Sequence, residues 1–258
     1  MVWQIDLTSK CFIVTGGNRG IGLAISHQIA QAGGHVAIIY KSSPDAPERA
    51  KEISQKYGVH CEAYKCDVSD QAAVAELVGR VYKDVGPVGG VVCNAGVAVS
   101  KPAVEMTKED YDNQMDPNIW GCFVVAQAAV KLWQEHGYKN GRVLISSAMS
   151  ASIANRNTTQ CFYNASKGAL NALARSLAME WADMGVLVNC LSPGFVDTDL
   201  NQILRDDEKI LKSTEDMVMT KRIGKPDEQA GAVVYFLSDY ATYTTGTELR
   251  VDGGASAW

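Results

Sequence analysis

No apolar run in this sequence approaches the roughly 20 residues that a bilayer-spanning helix needs, so no membrane span is expected. The opening MVWQIDLTSK has no basic start followed by an apolar stretch, and the closing GASAW has neither a prenylation box nor a peroxisomal tail. The expectation is a cytoplasmic protein. A basic excess is missing too: 24 Lys and Arg face 29 Asp and Glu, for a net charge of −5, which argues against a non-specific nucleic-acid binder. Paired cysteine spacing is also missing. Cys11, Cys61, Cys66, Cys93, Cys122, Cys161 and Cys190 are odd in number and scattered, and they read as reduced thiols, most of them in apolar runs. Cys61 and Cys66 lack a second pair, so no metal site is expected. No low-complexity linker or repeat divides the 258 residues, which points to one domain over 1–258.

What remains is the composition of a globular protein, 47% hydrophobic and 21% charged. Short apolar runs alternate with longer helix-period stretches. Strands are expected at 11–15, 35–40, 61–66, 88–95, 142–147, 186–192 and 248–252. Helices are expected at 20–32, 44–57, 69–84, 107–136, 162–183 and 226–238. Ser69 and Thr107 stand where N-caps belong, and Gly33-Gly34, Gly58 and Gly185 where helices stop. The first, second, fourth and sixth strands are rich in Val, Ile and Leu with little alternation, as when both sheet faces are covered. Strand–helix alternation with short links predicts an α/β fold, a parallel sheet with right-handed crossovers. Residues 148–161 and 195–225 break the pattern. Both follow strand C-termini, where ligands bind in open α/β sheets, and both are expected to shape a substrate pocket.

The first strand runs into Gly16-Gly17-Asn18-Arg19-Gly20-Ile21-Gly22 and then into a helix. Glycines there permit a tight turn and bring backbone close to a pyrophosphate at the positive end of the helix. Asp67-Val68 ends the third strand and Asn94-Ala95-Gly96 the fourth, on the same edge of the sheet. With the glycine turn beside it, Asp67 reads as an adenine contact. One further absence is informative. About twenty residues after the turn an acid usually holds the ribose 2′-hydroxyl of NAD. Here Tyr40 fills that place, followed by Lys41, Ser42 and Ser43. A cation and two hydroxyls, with Arg19 in the turn, suit a 2′-phosphate instead, so NADP(H) is the expected cofactor.

Tyr163 and Lys167 lie four apart at the start of a predicted helix and so share a face. A nearby ammonium favours phenolate and is expected to lower the tyrosine pKa, which suits Tyr163 to proton donation. Ser146 and Ser147 end the strand just upstream, where a hydroxyl can hydrogen-bond a carbonyl oxygen. A serine nucleophile is the competing idea, but none of the four histidines lies near in sequence to act as its base.

TGGNRGIG, CNAG, ISS, YNASK, SPGFVDT and the closing VDGG, in this order and spacing, resemble the short-chain dehydrogenase/reductase family over essentially the whole chain. The resemblance implies a Rossmann-type, doubly wound, seven-stranded parallel sheet. It implies Tyr163 as acid/base, with Lys167 lowering its pKa and binding the nicotinamide ribose. It implies Ser147 as the residue orienting the carbonyl, preferred to Ser146 because it stands one step before the loop. Asn118 would help a water relay to the lysine. Asn94, Ala95, Gly96, Pro193 and Gly194 would line the cofactor, Asp67 and Val68 would meet its adenine, and Val196 and Thr198 would hold its carboxamide side. The family is often tetrameric, through helices here at 107–136 and 162–183, so a homotetramer is implied. Two features depart from the pattern: Pro117 stands where an aliphatic residue is common, and the Ser147-to-Tyr163 interval is longer than usual.

The segment SSAMSASIAN…FYNASK further resembles a fungal-type subgroup of NADP-dependent mannitol 2-dehydrogenases, L-xylulose reductases and sorbose reductases. Ser150, Ser152, Asn155, Asn157 and Thr158 make the 148–161 loop polar, which suits a polyhydroxylated ketone. The leading expectation is an NADPH-dependent carbonyl reductase acting on a ketone such as a ketose. The alternatives are a reductase of non-sugar or secondary-metabolite carbonyls, an inactive NADP-binding regulator, and an epimerase or dehydratase of the same fold.

Overall fold

Seven strands form one parallel sheet in the order β3-β2-β1-β4-β5-β6-β7 in this computed structural model, which describes residues 4–156, 158–202 and 206–258. They are β1 Cys11–Thr15, β2 His35–Tyr40, β3 Cys61–Lys65, β4 Val88–Cys93, β5 Arg142–Ser146, β6 Leu187–Pro193 and β7 Glu248–Val251. Every neighbouring pair is parallel. The strand order reverses between β1 and β4, and that switch point opens a crevice beyond the strand C-termini.

The helices are α1 Gly20–Gln31, α2 Ala46–Tyr57, α3 Gln71–Asp84, α4 Lys108–Met115, α5 Gly121–Glu135, α6 Cys161–Trp181, α7 Glu208–Asp216 and α8 Pro226–Leu237. Adjacent strand residues feed opposite cores. Ile13, Ile39, Val91 and Ile145 pack with α3, α5 and α6. Phe12, Val14, Ile38, Val92 and Leu144 pack with α1, α2 and α8. This two-sided burial is why the strands read as unbroken apolar runs. Each such side chain, fully buried, contributes about 1.5–3 kcal/mol. No helix among the described residues is long and apolar enough to cross a membrane.

Two expectations change. Residues 107–136 do not form one helix: a wide π-turn, Asp116–Trp120, separates α4 from α5. Pro117 supplies the reason, since it has no N–H and its ring collides with the carbonyl one turn back. Thr107 does cap α4, in a reciprocal capping box with Asp110. The cap of α3 is Asp70, which accepts from Ala73 N at 3.0 Å. Ser69, expected in that role, instead donates its N–H to Asp67 Oδ1 in an Asx turn. In 195–225 the helical material is α7, lying over the strand ends.

Candidate active site

The glycine turn is held by contacts that admit no side chain. Gly16 has φ +64°, a left-handed conformation open to glycine at little cost. A Cβ on Gly22 would lie 2.1 Å from Gly16 O and 2.6 Å from Asn94 Nδ2. Thus α1 starts directly against the turn and against the end of β4. Thr15 joins the two strands: its Oγ1 accepts from Asn94 N and Ala95 N, both at 2.9 Å, and Asn94 Nδ2 donates to Thr15 O at 3.0 Å. Ser26 Oγ closes the turn from below on Gly17 O and Gly22 O. Neither Thr15 nor Ser26 stood out in the sequence, since a hydroxyl inside a strand or helix has no local signature.

This turn fits a dinucleotide phosphate. Arg19 precedes α1 without a side-chain cap, and the first turn of α1 has no acid, so its N–H groups are not met by a side chain. Asn18 is buried, and its Nδ2 has no partner among the described residues. Ile21 and Gly20 continue the same wall, with Thr198 Cγ2 3.3 Å from where a Gly20 Cβ would be.

The 2′ corner is more occupied than the sequence suggested. Lys41 Nζ pairs with Asp67 Oδ2 at 2.7 Å, and that contact holds the Asp67 carboxyl below its ordinary range. Ser43 Oγ donates to Asp45 Oδ1 at 2.6 Å, an acid the sequence reading had not weighed. Ser42 and Arg19 are exposed, and Tyr40 ends β2 beside them. Because Lys41 is 72% exposed, its pair contributes about 0–1 kcal/mol and costs little to break. Val68 does not turn its side chain to the crevice. It packs on α5, where a Gly121 Cβ would meet its Cγ2 at 2.6 Å, so its backbone is what remains for an adenine.

Tyr163 and Lys167 emerge from the first turns of α6. Lys167 is buried, donates to Ser146 O at 2.7 Å, and holds its ammonium 5.4 Å from the Tyr163 ring centroid. Ser147 Oγ donates to the Lys167 carbonyl at 3.1 Å. Asn118, in the π-turn, is locked to the β4 extension: Val97 N donates to its Oδ1 at 2.8 Å, and its Nδ2 donates to Val97 O at 2.9 Å and Ser166 Oγ at 3.0 Å. A Cβ on Gly96 would lie 3.1 Å from Asn118 Oδ1 and 3.7 Å from Lys167 Nζ. Gly96 therefore lets the backbone pass between amide and ammonium.

The expected lowering of the tyrosine pKa is not what the site shows. Burial pushes Tyr163 up to about 12 and Lys167 down to about 8. Desolvation disfavours both charged forms and outweighs an ammonium 5.4 Å from the ring. The phenol is thus a held proton at neutral pH, the state a reductase needs. Lys167 carries its charge below pH about 8 and loses it above. The rate constant kcat/KM for NADPH reports the free enzyme, and it is expected to fall as pH rises through that value. Lys167→Arg should move the fall upward, and a flat profile there would sever the link.

Beyond this pair lies a cavity of about 590 Å³. Its walls come from both irregular segments: Ser147 to Ser150, Asn155, Thr158 and Gln160 on one side, and Pro193 to Val196 with Thr198 on the other. The roof is one face of α7 with Met217 just past its end: Lys209, Ile210, Ser213, Thr214 and Met217. Asn155 Oδ1 is buried without a partner among the described residues. Ser152 faces away and accepts from Arg250 Nη2 at 3.0 Å. Asn157 lies outside the described residues. Trp258 Nε1 donates to Met217 O at 2.8 Å, at the outer edge of the roof. The described lining carries Arg156, Lys167 and Lys209 and no carboxylate.

A doubly wound sheet with a glycine turn at its switch point, and a Tyr–Lys pair facing it, defines a nicotinamide-type oxidoreductase. A family model described as enoyl-(acyl carrier protein) reductase matches residues 16–256, and the chain belongs to the short-chain dehydrogenase/reductase family. A sorbose reductase of Candida albicans is 38% identical over 251 residues, covering 96% of this chain and 88% of that protein. An NADP-dependent mannitol dehydrogenase of Alternaria alternata is 39% identical over 252 residues, covering 96% and 93%. Among solved structures, a gluconate 5-dehydrogenase from Burkholderia cenocepacia in complex with NADP and tartrate superposes with a TM-score of 0.92 at 28% identity, covering 98% of this chain and 97% of that one.

Proposed function

We propose that the chain is an NADPH-dependent carbonyl reductase that converts a polyhydroxylated ketone, a ketose, to a secondary alcohol. The observation that carries this reading is the protonated Tyr163 beside Lys167 at the inner end of a cavity lined with hydroxyl and amide groups. NADPH, when bound, supplies the hydride. Tyr163 gives its proton to the carbonyl oxygen as charge builds there. Lys167 holds the ribose side and steadies the phenolate left behind. Asn118 keeps the Gly96 backbone beside that ammonium, at the start of a proton relay. Asn155 Oδ1 offers an acceptor to a substrate hydroxyl, and Ser213 and Thr214 line the roof above it. The sorbose and mannitol names of the relatives agree with such a substrate.

A second reading, a keto-sugar acid, is favoured by one observation. The cavity has no described carboxylate although the chain is acidic overall, and Arg156 and Lys209 stand on its rim. The gluconate 5-dehydrogenase neighbour is consistent with it. A panel of ketoses, keto-sugar acids and simple aryl and alkyl ketones, each with NADPH and NADH, separates the readings by kcat/KM. Failure of every ketone while NADPH still binds would leave a nucleotide-binding regulator.

The cofactor part has its own test. Lys41→Ala with Arg19→Ala is expected to weaken NADPH binding by about 10²-fold or more, since each lost phosphate contact is worth about 1.5–3 kcal/mol. NADH affinity should stay within about threefold, as an exposed charge away from the ligand matters little. Alanine is preferable to aspartate at 41, because a carboxylate there would face Asp67. Equal losses for the two cofactors would show that these cations do not read the 2′-phosphate.

A further inference from the structure

Three buried serines, Ser146, Ser147 and Ser150, line the cavity at the end of β5. A serine hydroxyl has a single proton to donate, and a carbonyl oxygen becoming an alkoxide needs a donor. Ser146 Oγ gives its proton to Asn94 Oδ1 at 3.4 Å, and Ser147 Oγ gives its own to Lys167 O at 3.1 Å. Ser150 Oγ only accepts, from Gln160 Nε2 at 3.5 Å, and no acceptor among the described residues takes its proton.

The path of the chain accounts for the difference. It stays extended through Ala148, at φ −166° and ψ 159°, so successive side chains alternate. Ser146 looks toward Asn94 and Ser147 toward α6. Ala148 brings only a methyl to the wall. The 3-10 turn Met149–Ala151 then folds against α6, with Ala151 O 3.6 Å from where a Gly168 Cβ would be. Gln160, the N-cap of α6, touches Ser150. Ser150 is therefore held at the same end of α6 as Tyr163, and both line the cavity.

We propose that Ser150, rather than Ser147, is the hydroxyl that donates to the substrate carbonyl oxygen beside Tyr163. Ser147 is a positioning residue that fixes the backbone of Lys167. The proposal rests on the carbonyl-reductase reading. The chemistry balances without a further group: the carbonyl carbon takes the hydride, its oxygen takes the Tyr163 proton, and Ser150 keeps its own proton while it steadies the growing charge.

The test compares Ser150→Ala, Ser150→Thr and Ser147→Ala with the unmodified protein, by steady-state kinetics, NADPH binding and thermal unfolding. Ser150→Ala is expected to lose about 10²-fold in kcat, the scale of one oxyanion donor, with NADPH affinity intact. Ser150→Thr keeps the hydroxyl and should recover most of that loss. Ser147→Ala should lose less in kcat than Ser150→Ala and should unfold at lower temperature, the mark of one lost buried hydrogen bond. A loss in Ser147→Ala equal to or greater than that in Ser150→Ala overturns the proposal, as does an alanine at 150 that turns over normally. Turnover of any ketone by the unmodified protein decides the reductase reading separately.

Discussion

Tyr163→Phe should fold, bind NADPH as tightly as the unmodified chain, and reduce its ketone with kcat lower by about 10³–10⁴-fold, the upper part of what a positioned proton donor contributes. The substitution removes one oxygen and leaves the ring over which Lys167 sits. It also removes a group whose pKa burial pushes up to about 12, so the charge of the site at neutral pH does not change. Binding and chemistry therefore separate. Isothermal titration with NADPH and single-turnover kinetics read the two sides. Retained turnover would assign the proton to another donor and sink the mechanism. A parallel loss of NADPH affinity would mean that the phenol holds the nucleotide rather than the substrate.

The second large effect belongs to Gly22→Ala. A methyl there meets the Gly16 carbonyl oxygen at 2.1 Å and carbon at 2.8 Å, and Asn94 Nδ2 at 2.6 Å. Two of the three are backbone, so no rotamer change relieves the contact, and α1 must move away from the turn. Overpacking of this kind costs about 1–3 kcal/mol, which for a chain of this length lowers the unfolding temperature by roughly 3–10 °C. The functional cost is larger. The N–H groups at the start of α1 lose their aim at the phosphate, and NADPH binding should fall below detection at concentrations that saturate the unmodified chain. Gly231→Ala in α8 is the control. Nothing lies within 4 Å of its Cβ, and an alanine in a helix interior favours the helix by about 0.5–1 kcal/mol. Unimpaired NADPH binding by Gly22→Ala would show that the turn can open without consequence.

Legibility followed the range of the interaction. The strands were visible because burial on both faces writes itself as runs such as CFIVT and HVAIIY, and the Thr107 cap because its partner Asp110 lies three residues on. The π-turn was less visible. Pro117 announced a disturbance, but how the backbone absorbs it depends on Asn118 being gripped by Val97 and Ser166, 21 and 48 residues away. Lys41 and Asp67 were each assigned to the nucleotide, and their pairing across 26 positions of sequence was invisible until β2 and β3 were placed side by side.

By itself the sequence determined the order of strands and helices, the glycine turn, the missing acid at position 40 and the Tyr163–Lys167 spacing. These are properties of neighbouring residues, and local sterics and periodicity are enough to express them. Only the tertiary structure decided which protons are free. Whether a hydroxyl at 146, 147 or 150 is already donating, whether a phenol is solvated, and whether a lysine keeps its charge depend on groups brought from distant parts of the chain. Desolvation and hydrogen-bond saturation are set by that three-dimensional neighbourhood, and no spacing along the chain records them.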